Sequence, residues 1–460
     1  MLTLSRRTAI PLPAILAGAV GLARVARADD PPFIPNQVVV ELVPGALLAD
    51  FNARYASVTI ESIPGRPIHL LLVPAALDAP AFLALIAGDP DLVVAELNSI
   101  AEDINPEPGT QSIFLPRTGP AMLAQESIDI IDAPEARSAS SGAGVLVAVI
   151  DSGADANHAF LAGALAPGGI DLVGDGAGTS DAPDLIDNDN DGLIDEAVGH
   201  GTIVAGIIRL VAPDALILPI RVMDSDGGST IFRLTSAIYR AADAGADIIN
   251  ISLGTTADPV LLREAVAYAT ASGALVVASA GNENTESPLR SPASLSLDGA
   301  LGVAATTSTD VKAEFSNYGT PIALSAPGVG VIGPTPGGGY GEAQGTSFAA
   351  PLVSASAALV RSVAPLLPPD ELRVRLASTA APIDALNPGF EGRLGAGRVN
   401  AARALGLNAP PLAQSADLNN DARVDADDLY LWHLSPRDLN SDGAADAADA
   451  AQLKVWLQSR

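Results

Sequence analysis

Residues 145–153, with the sequence Val-Leu-Val-Ala-Val-Ile-Asp-Ser-Gly, join a run of six apolar residues to an acid, a hydroxyl and a glycine. An apolar run without alternation is typical of a strand that is buried on both faces of a parallel sheet. Three similar runs and three helical patterns alternate further along the chain, the runs at 216–222, 247–251 and 274–278 and the helical patterns at 201–210, 232–244 and 260–272. The alternation predicts a doubly wound α/β domain, whose functional site lies at the carboxyl ends of the strands.

Three short motifs stand at the ends of predicted strands or helices: Asp-Ser-Gly at 151–153, His-Gly-Thr at 200–202 and Gly-Thr-Ser at 345–347. Each has an ordinary explanation by itself, because a strand-terminal Asp is commonly a turn residue and a Ser before a helix is commonly its cap. In this chain order, however, an Asp, a His and a Ser match one of the known arrangements of a nucleophilic triad. The pattern predicts a hydrolytic site built from Asp151, His200 and Ser347.

The composition of the chain excludes several classes of protein. Among 460 residues, 53 are Asp or Glu and 25 are Lys or Arg, and the resulting net charge of −28 argues against a nucleic-acid partner. Hydrophobic residues make up 48% of the chain and charged residues 17%, which is typical of a globular protein with a large core. The chain has no Cys, so disulfides, thiolate metal sites and a Cys nucleophile are excluded.

Residues 1–28 have the pattern of a secretion signal. Arg6 and Arg7 precede an apolar stretch at 9–22, and Ala-Arg-Ala at 26–28 has the small-x-small form of a cleavage site. We therefore expect the protein to be secreted and its mature form to have no membrane span, since no later segment reaches about 18 consecutive apolar residues. The two adjacent arginines fit both a twin-arginine signal and an ordinary one.

Residues 29–104 have a different pattern, in which short strand-like and helix-like stretches alternate. The strand-like stretches lie at 37–42, 58–63, 68–73 and 92–96, and the helix-like ones at 46–55 and 79–87. The order β-α-β-β-α-β predicts a small ferredoxin-like α+β unit. A loop rich in Pro and Gly begins at Asn105 and marks a boundary, so the main domain is expected at 105–406.

Two copies of an acidic loop follow a Pro-containing linker at 407–416 and occupy the segment 417–460. Their oxygen-bearing side chains are Asp417, Asn419, Asp421, Asp425 and Asp428 in the first copy and Asp438, Asn440, Asp442, Asp446 and Asp449 in the second. These are loop positions 1, 3, 5, 9 and 12, which calcium loops use. One copy alone would favour a solvated acidic turn, whereas two in register, each before an apolar helical stretch, predict a small α-helical EF-hand-like calcium module.

A third acidic loop precedes His200 directly. Its potential ligands are the carboxylates of Asp187, Asp189, Asp191 and Asp195 and the carbonyl of Leu193. This spacing matches a calcium loop, with a glycine at position 6. Position 12 is Val198, so the usual bidentate acid is missing, and Glu196 could substitute for it. The alternative is a solvated acidic loop.

Seven motifs resemble, in the same order, those of the subtilisin-like serine proteases (subtilases): VIDSG at 149–153, GHGT at 199–202, NISLG at 250–254, ASAGN at 278–282, FSNYG at 315–319, APG at 326–328 and GTSFAAP at 345–351. The resemblance covers nearly all of residues 126–405. It implies a subtilisin-like parallel sheet, an Asp-His-Ser triad and Asn282 as the side-chain donor to the oxyanion. A turn residue is the alternative for Asn282.

The same resemblance implies the substrate-binding residues. Ser252, Leu253 and Gly254 would form an edge that pairs with an extended peptide, and the other wall of the specificity pocket would consist of Ala278, Ser279, Ala280 and Gly281. Arg290 would lie near the floor of that pocket and favour acidic or polar substrate side chains. An exposed loop arginine is the alternative interpretation.

Two further resemblances concern the ends of the chain. The unit at 29–104 resembles a subtilase propeptide, and the repeat at 417–460 resembles a dockerin, which implies a cohesin partner. The combined prediction is a secreted, Ca²⁺-dependent serine endopeptidase that acts on polypeptides through an acyl-enzyme, with a monomeric catalytic unit and a docking tail. The alternative is a calcium-dependent interaction protein that retains a silent protease fold.

Overall fold

The computed structural model describes residues 33–102, 115–189, 192–286 and 290–407. Their contacts divide the chain into two compact units, a smaller one at 34–97 and a larger one that contains the described residues from Asn98 onward, together with Phe33. The predicted signal at 1–28 and calcium repeats at 417–460 lie outside the described residues, as does the linker from residue 408 onward.

The smaller unit has the predicted β-α-β-β-α-β order. Its elements are β1 (Phe33–Leu42), α1 (Leu48–Tyr55), β2 (Val58–Ser62), β3 (Ile68–Leu72), α2 (Ala79–Ile86) and β4 (Leu92–Glu102). The strands are ordered β2-β3-β1-β4, and β3 runs antiparallel to both of its neighbours. Helix α2 begins where the sequence changes from polar to apolar, because the Asp78 carboxylate caps the N–H of Ala81 at 2.8 Å.

The larger unit alternates short strands with helices. Its strands are β5 (Leu115–Pro116), β6 (Leu146–Asp151), β7 (Ile170–Asp171), β8 (Leu216–Arg221), β9 (Gly228–Thr230), β10 (Ile248–Ile251), β11 (Leu275–Ser279), β12 (Ala300–Thr306), β13 (Ile322–Pro327), β14 (Val331–Thr335) and β15 (Gly339–Ala343). Its helices are α3 (Gly119–Leu123), α4 (Glu126–Asp129), α5 (Ala133–Arg137), α6 (His200–Val211), α7 (Ile231–Asp243), α8 (Val260–Ala271), α9 (Thr346–Val363), α10 (Pro369–Ser378) and α11 (Ala401–Ala404).

Seven parallel strands form the central sheet of the larger unit, in the order β13-β12-β11-β10-β6-β8-β7. The predicted doubly wound fold is confirmed, and each of the four predicted apolar runs is a strand of this sheet. The chain order reverses beside β6, so the carboxyl end of this strand lies at the switch point where α/β proteins build their sites. A separate three-stranded sheet consists of β14, β15 and β5.

Helix α9 packs against α6 and against strands β10, β11, β12 and β13. Its 18 residues are apolar enough to cross a membrane by length and composition, but 89% of the helix is buried within the protein. An Ala-rich helix so enclosed is typical of the core of an α/β domain.

Strand β4 is longer than predicted. Its last three residues, Ile100 to Glu102, pair antiparallel with β9 inside the larger unit. The ladder partner lies more than a hundred residues away in the chain, so no local pattern could indicate this extension.

Candidate active site

The carboxyl end of β6 brings Asp151 to the first residue of helix α6, His200. Asp151 Oδ1 lies 2.7 Å from His200 Nδ1, and both side chains are at most 1% exposed. The N–H of Ser152 donates to the same Oδ1 at 2.8 Å, which fixes the carboxylate. Because Nδ1 donates its proton to a carboxylate, Nε2 is the imidazole nitrogen that can accept a proton.

Gly201 allows this close approach of α6 to β6. A Cβ atom added to Gly201 would lie 2.2 Å from the carbonyl oxygen of Gly153 and 2.9 Å from Asp151 Oδ1. Both distances are far shorter than a van der Waals contact, and the nearer atom belongs to the backbone. The Gly that follows His200 is therefore required by the packing of the two elements that carry the Asp-His pair.

The start of α9 adjoins this pair. The Phe348 ring lies 5.0 Å from the His200 imidazole, centroid to centroid, and Ser347 is the second residue of the helix. A hydroxyl in the first turn lies at the positive end of the helix dipole, which favours negative charge that develops there.

Ser347 and Ser252 exchange hydrogen bonds. The Ser347 hydroxyl donates to the Ser252 carbonyl at 3.0 Å, and the Ser252 hydroxyl donates to the Ser347 carbonyl at 2.9 Å. In a regular helix the N–H of residue 351 would donate to the Ser347 carbonyl, but residue 351 is Pro and has no N–H. Ser252 therefore satisfies the carbonyl that Pro351 leaves open, and it ties the helix to the end of β10.

The Asn282 amide is held in one orientation by Thr346. Its Oδ1 accepts hydrogen bonds from the N–H and the hydroxyl of Thr346, both at 2.9 Å. The Thr346 hydroxyl in turn accepts from the N–H of Gly281 at 3.1 Å. With Oδ1 fixed as the acceptor, the Nδ2 group of Asn282 is the end that donates, next to the N-terminus of α9. Asn282 is 4% exposed, and its amide is hydrogen-bonded to the first residue of α9.

The two predicted substrate-binding segments leave adjacent strands. Residues 252–254 follow β10, and residues 278–281 consist of the last two residues of β11 and the two that follow it. The two strands are paired in parallel with Ile251 beside Ala278. Both segments are buried. They lie side by side at the carboxyl edge of the sheet, as expected of two walls that flank a bound peptide.

Arg290 lies against both walls. Its Cβ is 3.1 Å from the position of a Cβ on Gly254, and its Cγ is 2.9 Å from that of a Cβ on Gly281. The Arg290 side chain is only 12% exposed, so the interpretation as an exposed loop arginine is wrong. Its Nε donates to Glu283 Oε1 at 2.6 Å, and Glu283 Oε2 accepts from the Asn317 amide at 2.6 Å.

An acidic cluster lies beside the start of α6. Carboxylate oxygens of Asp187, Asp189 and Asp226 all lie within 4.8 Å of one another. Backbone N–H groups of Asn188 and Asp195 donate to the two oxygens of Asp226, which holds the turn after β8 against the acidic loop. Three carboxylates this close repel one another unless a cation offsets their charge, and oxygen donors of this kind suit Ca²⁺.

One of the loop residues named above as ligands, Asp195, does not belong to this cluster. Asp195 Oδ1 accepts from the backbone N–H groups of Asp184 and Leu185, at 2.8 and 3.2 Å. Asp191 lies outside the described residues. Asp226, which the sequence pattern did not indicate, takes part in place of the missing acid at loop position 12.

The other described histidines have structural roles. His158 is 2% exposed; its Nδ1 accepts from the N–H of Phe160 at 3.1 Å, so its Nε2 carries the proton and donates to the Gly339 carbonyl at 2.9 Å. His69, in the smaller unit, pairs with the Ser62 hydroxyl at 2.8 Å. His200 is therefore the histidine of the larger unit's described part that is placed for proton transfer.

Comparison with known proteins connects this geometry to a family. Residues 142–402 match the model of the subtilase family, peptidase S8. This span includes the Asp-His pair, Asn282, the first turn of α9 and both walls. The chain belongs to the subtilase family. As a subtilase of this kind it is a serine endopeptidase.

Individual subtilases are similar over the same region. Thermitase of Thermoactinomyces vulgaris is 37% identical over 242 residues, which are 50% of this chain and 80% of that protein. Subtilisin DY of Bacillus licheniformis is 35% identical over 251 residues, 52% of this chain and 84% of that protein. The structure of a protease from Pseudoalteromonas arctica superposes with a TM-score of 0.54 at 31% identity, covering 60% of this chain and 93% of that one.

Proposed function

We propose that this subtilase cleaves polypeptides with Asp151, His200 and Ser347 as its catalytic triad and with Asn282 as the side-chain donor to the oxyanion. The observation that carries the proposal is the buried 2.7 Å hydrogen bond between Asp151 and His200 beside the first turn of α9. A buried Asp-His pair at this place orients an imidazole for proton transfer with a hydroxyl on that turn.

The reaction would begin with rotation of the Ser347 hydroxyl away from the Ser252 carbonyl and toward His200 Nε2. His200 takes the hydroxyl proton as Ser347 Oγ bonds to the scissile carbonyl carbon, and Asp151 stabilises the imidazolium. His200 then gives the proton to the leaving amine, and the C–N bond breaks to leave an acyl-enzyme. A water molecule, deprotonated by His200, releases the acid and restores the hydroxyl.

The negative charge of the tetrahedral intermediate would be stabilised at the N-terminus of α9. The Nδ2 group of Asn282 and the backbone N–H of Ser347 are the donors for that oxygen. The two hydrogen bonds from Thr346 fix the Asn282 amide before substrate arrives. Prior orientation of such donors is what makes them effective, and the loss of one typically lowers kcat by about 10²–10³-fold.

The test of this function compares Ser347→Ala with Ser362→Ala. Ser362 lies near the other end of α9, is partly exposed and donates to the Ala143 carbonyl, so its replacement controls for the loss of a helix hydroxyl. Hydrolysis of a denatured protein substrate should be abolished by Ser347→Ala and retained by Ser362→Ala. Equal activity of the two variants would contradict the assignment of Ser347.

We expect the Arg290–Glu283 pair to set the charge preference of the specificity pocket. In the native pair Glu283 compensates the guanidinium, so the wild type should discriminate weakly between Gln and Glu immediately before the scissile bond. Glu283→Gln leaves the positive charge uncompensated and should raise the kcat/KM ratio of Glu to Gln substrates by about 10-fold. A matched pair of peptides measures this ratio, and Arg290→Met provides the neutral control. An unchanged ratio in Glu283→Gln would exclude Arg290 from the pocket floor.

We further propose Ca²⁺ as the ion that the acidic cluster holds, with Asp187, Asp189 and Asp226 as ligands. The Leu193 carbonyl and the side chain of Asp191 remain further candidates from the same loop. Bound Ca²⁺ would supply charge compensation and would join the loop before His200 to the turn at Asp226. This connection would hold the start of α6, which carries His200, in position.

Removal of the ion should therefore lower both stability and activity. We expect EGTA to lower the Tm of the wild type by several degrees and to reduce hydrolysis, and excess Ca²⁺ to restore both. Asp226→Asn should show a low Tm already in Ca²⁺ and respond less to EGTA. Asp129→Asn, in short helix α4 far along the chain from the loop, is the control. A Tm and an activity that EGTA leaves unchanged in the wild type would contradict the proposal.

The ends of the chain suggest export and docking. We propose that residues 1–28 direct secretion, that the unit at 29–104 is a propeptide, and that the repeat at 417–460 binds Ca²⁺ and a cohesin-type partner. The supports are the signal pattern, the β-α-β-β-α-β order and the two loops in register. Capture of the full chain by an immobilised cohesin in Ca²⁺ but not in EGTA would support docking, and equal recovery in both would count against it.

A further inference from the structure

Asp181 is a buried carboxylate of the larger unit that the proposed reaction does not use. The residue is 3% exposed and lies in the loop between β7 and α6. Its Oδ1 accepts from the N–H of Gly199 at 2.9 Å and from the Ser152 hydroxyl at 3.1 Å. Its Oδ2 accepts from the N–H of Thr202 at 3.0 Å and from the Thr202 hydroxyl at 2.6 Å. A buried side chain that accepts four hydrogen bonds is held in one position and has a specific structural role.

Each of these partners acts as a donor. The Ser152 hydroxyl accepts from the N–H of Gly201 at 3.0 Å, so its own proton points to Asp181. The Thr202 hydroxyl accepts from the N–H of Asp155 at 3.0 Å, so its proton also points to Asp181. A protonated carboxyl would have to donate a proton of its own, and these four partners all present donors to it. The arrangement therefore fits the ionised carboxylate.

The four donor groups belong to residues that are adjacent or close in sequence to Asp151 and His200. Gly199 and Thr202 lie on either side of His200, and Ser152 is adjacent to Asp151. We propose that Asp181 is a positioning residue, which holds the end of β6 and the first turn of α6 in the register that the 2.7 Å bond between Asp151 and His200 requires. This inference rests on the proposed triad.

The charge of Asp181 has a second consequence for the imidazole. Ionisable groups at this end of the sheet include Asp151, Asp171, Asp181 and Arg221. Arg221 is neutralised by a bidentate pair with Asp175 at 2.6 and 2.7 Å, and Asp171 lies 3.9 Å from Arg221. Burial raises the pKa of Asp181, the negative charge of Asp151 adds to the rise, and the hydrogen bonds from Gly199 and Thr202 oppose it. An ionised Asp181 favours the imidazolium form of His200, because opposite charges attract more strongly in a buried site.

The experiment measures kcat, KM and the pH profile of kcat/KM for Asp181→Asn. The amide keeps the size of the side chain but places an NH₂ group against two donors. We expect kcat to fall by about 10- to 100-fold with KM changed by less than about 3-fold, because the substitution disturbs the orientation of the reacting groups and leaves substrate binding intact. The acid limb of the profile should move to lower pH by about 0.5 to 1 unit, because a negative charge near His200 is lost.

The control is Asp247→Asn. Asp247 also accepts a backbone N–H, that of Leu146 at 3.0 Å, but at the amino end of the sheet, far from the site. It should keep the wild-type kcat and acid limb. A wild-type kcat and an unmoved acid limb in Asp181→Asn would overturn the inference. A kcat that falls only in proportion to the loss of folded protein, as titrated by reaction of Ser347, would overturn it as well.

If Asp181→Asn does not fold, a pair of variants at Thr202 tests the role of Asp181 instead. Thr202→Ser keeps the hydroxyl that donates to Asp181, whereas Thr202→Val keeps the shape and removes it. We expect Thr202→Val to lower kcat by about 3- to 10-fold relative to Thr202→Ser, and equal kcat values would overturn the inference. The proposed function fails separately, since it requires an active wild type and an inactive Ser347→Ala whatever Asp181 does.

Discussion

His200→Ala is expected to lower kcat by about 10⁴-fold or more while the protein stays folded. The variant removes the imidazole that Asp151 orients at 2.7 Å, so Ser347 would have to attack with its proton in place. A serine hydroxyl is a poor nucleophile at neutral pH without a base. Steady-state hydrolysis of a peptide substrate, with circular dichroism as the check on folding, measures the effect.

The control for this prediction is His69→Gln. His69 pairs with Ser62 in the smaller unit, and Gln retains a hydrogen-bonding group there. It should leave kcat within about 3-fold of the wild type. Retention of more than about one hundredth of the wild-type kcat by His200→Ala would contradict the assignment of His200 as the base. Among the described residues of the larger unit, His158 would then be the histidine to examine, although both of its ring nitrogens are engaged.

Gly201→Ala is expected to lower kcat/KM by at least about 100-fold. Its new methyl group would lie 2.2 Å from the Gly153 carbonyl and 2.9 Å from Asp151 Oδ1, so β6 or α6 must move. A shift of about 1 Å between these elements would break the geometry of the Asp-His pair, and such misplacement typically costs about 10²-fold in rate. Overpacking against the backbone should also destabilise the protein by about 1–3 kcal/mol. Kinetics and thermal unfolding of the same preparation measure both effects.

Gly88→Ala serves as the matched control, because a Cβ at Gly88 would meet no atom within 4 Å. It should change neither kcat/KM nor Tm appreciably. If Gly201→Ala kept wild-type kinetics, the close approach of α6 to β6 would not be needed for the reaction. The role of the glycine after His200 would then have to be sought elsewhere.

The structure brings Asp151 and His200 together, as the sequence pattern predicted, for a physical reason. The residues of the proposed triad stand at the ends of strongly patterned elements, and the carboxyl ends of parallel strands converge at one edge of a sheet. The apolar run before Asp151 therefore located that residue at the site without any knowledge of its neighbours. The resemblance to subtilases implied two walls, at 252–254 and 278–281, and the structure places them at the ends of the paired strands β10 and β11.

The residues that sequence reasoning missed all lie in loops. Asp181, Asp226 and Glu283 acquire their partners through contacts that no periodicity encodes, since each loop is positioned by elements on either side of it. Glu283 lies seven residues before Arg290, and its pairing with Arg290 depends on how the loop returns to the end of β10. The expectation for Arg290 was correspondingly divided, and the structure places its side chain against both walls.

In the loop before His200, the motif predicted only some of the residues of the acidic cluster. Its spacing indicated a calcium loop with no acid at position 12, and the structure brings Asp226 to the cluster from the turn between β8 and β9. A ligand that comes from another part of the chain cannot be read from spacing inside the loop. Asp195, which the spacing included, instead holds the backbone of Asp184 and Leu185.

Reaction with a fluorophosphonate probe, read out by mass spectrometry of the peptides, tests the central claim most directly. The probe forms a covalent bond with a serine oxygen that a neighbouring base activates. We predict one adduct per wild-type chain, on Ser347, with no adduct in Ser347→Ala and a strongly slowed reaction in His200→Ala. A folded wild type that forms no adduct, or forms it on Ser252 or another serine, would contradict the proposed triad.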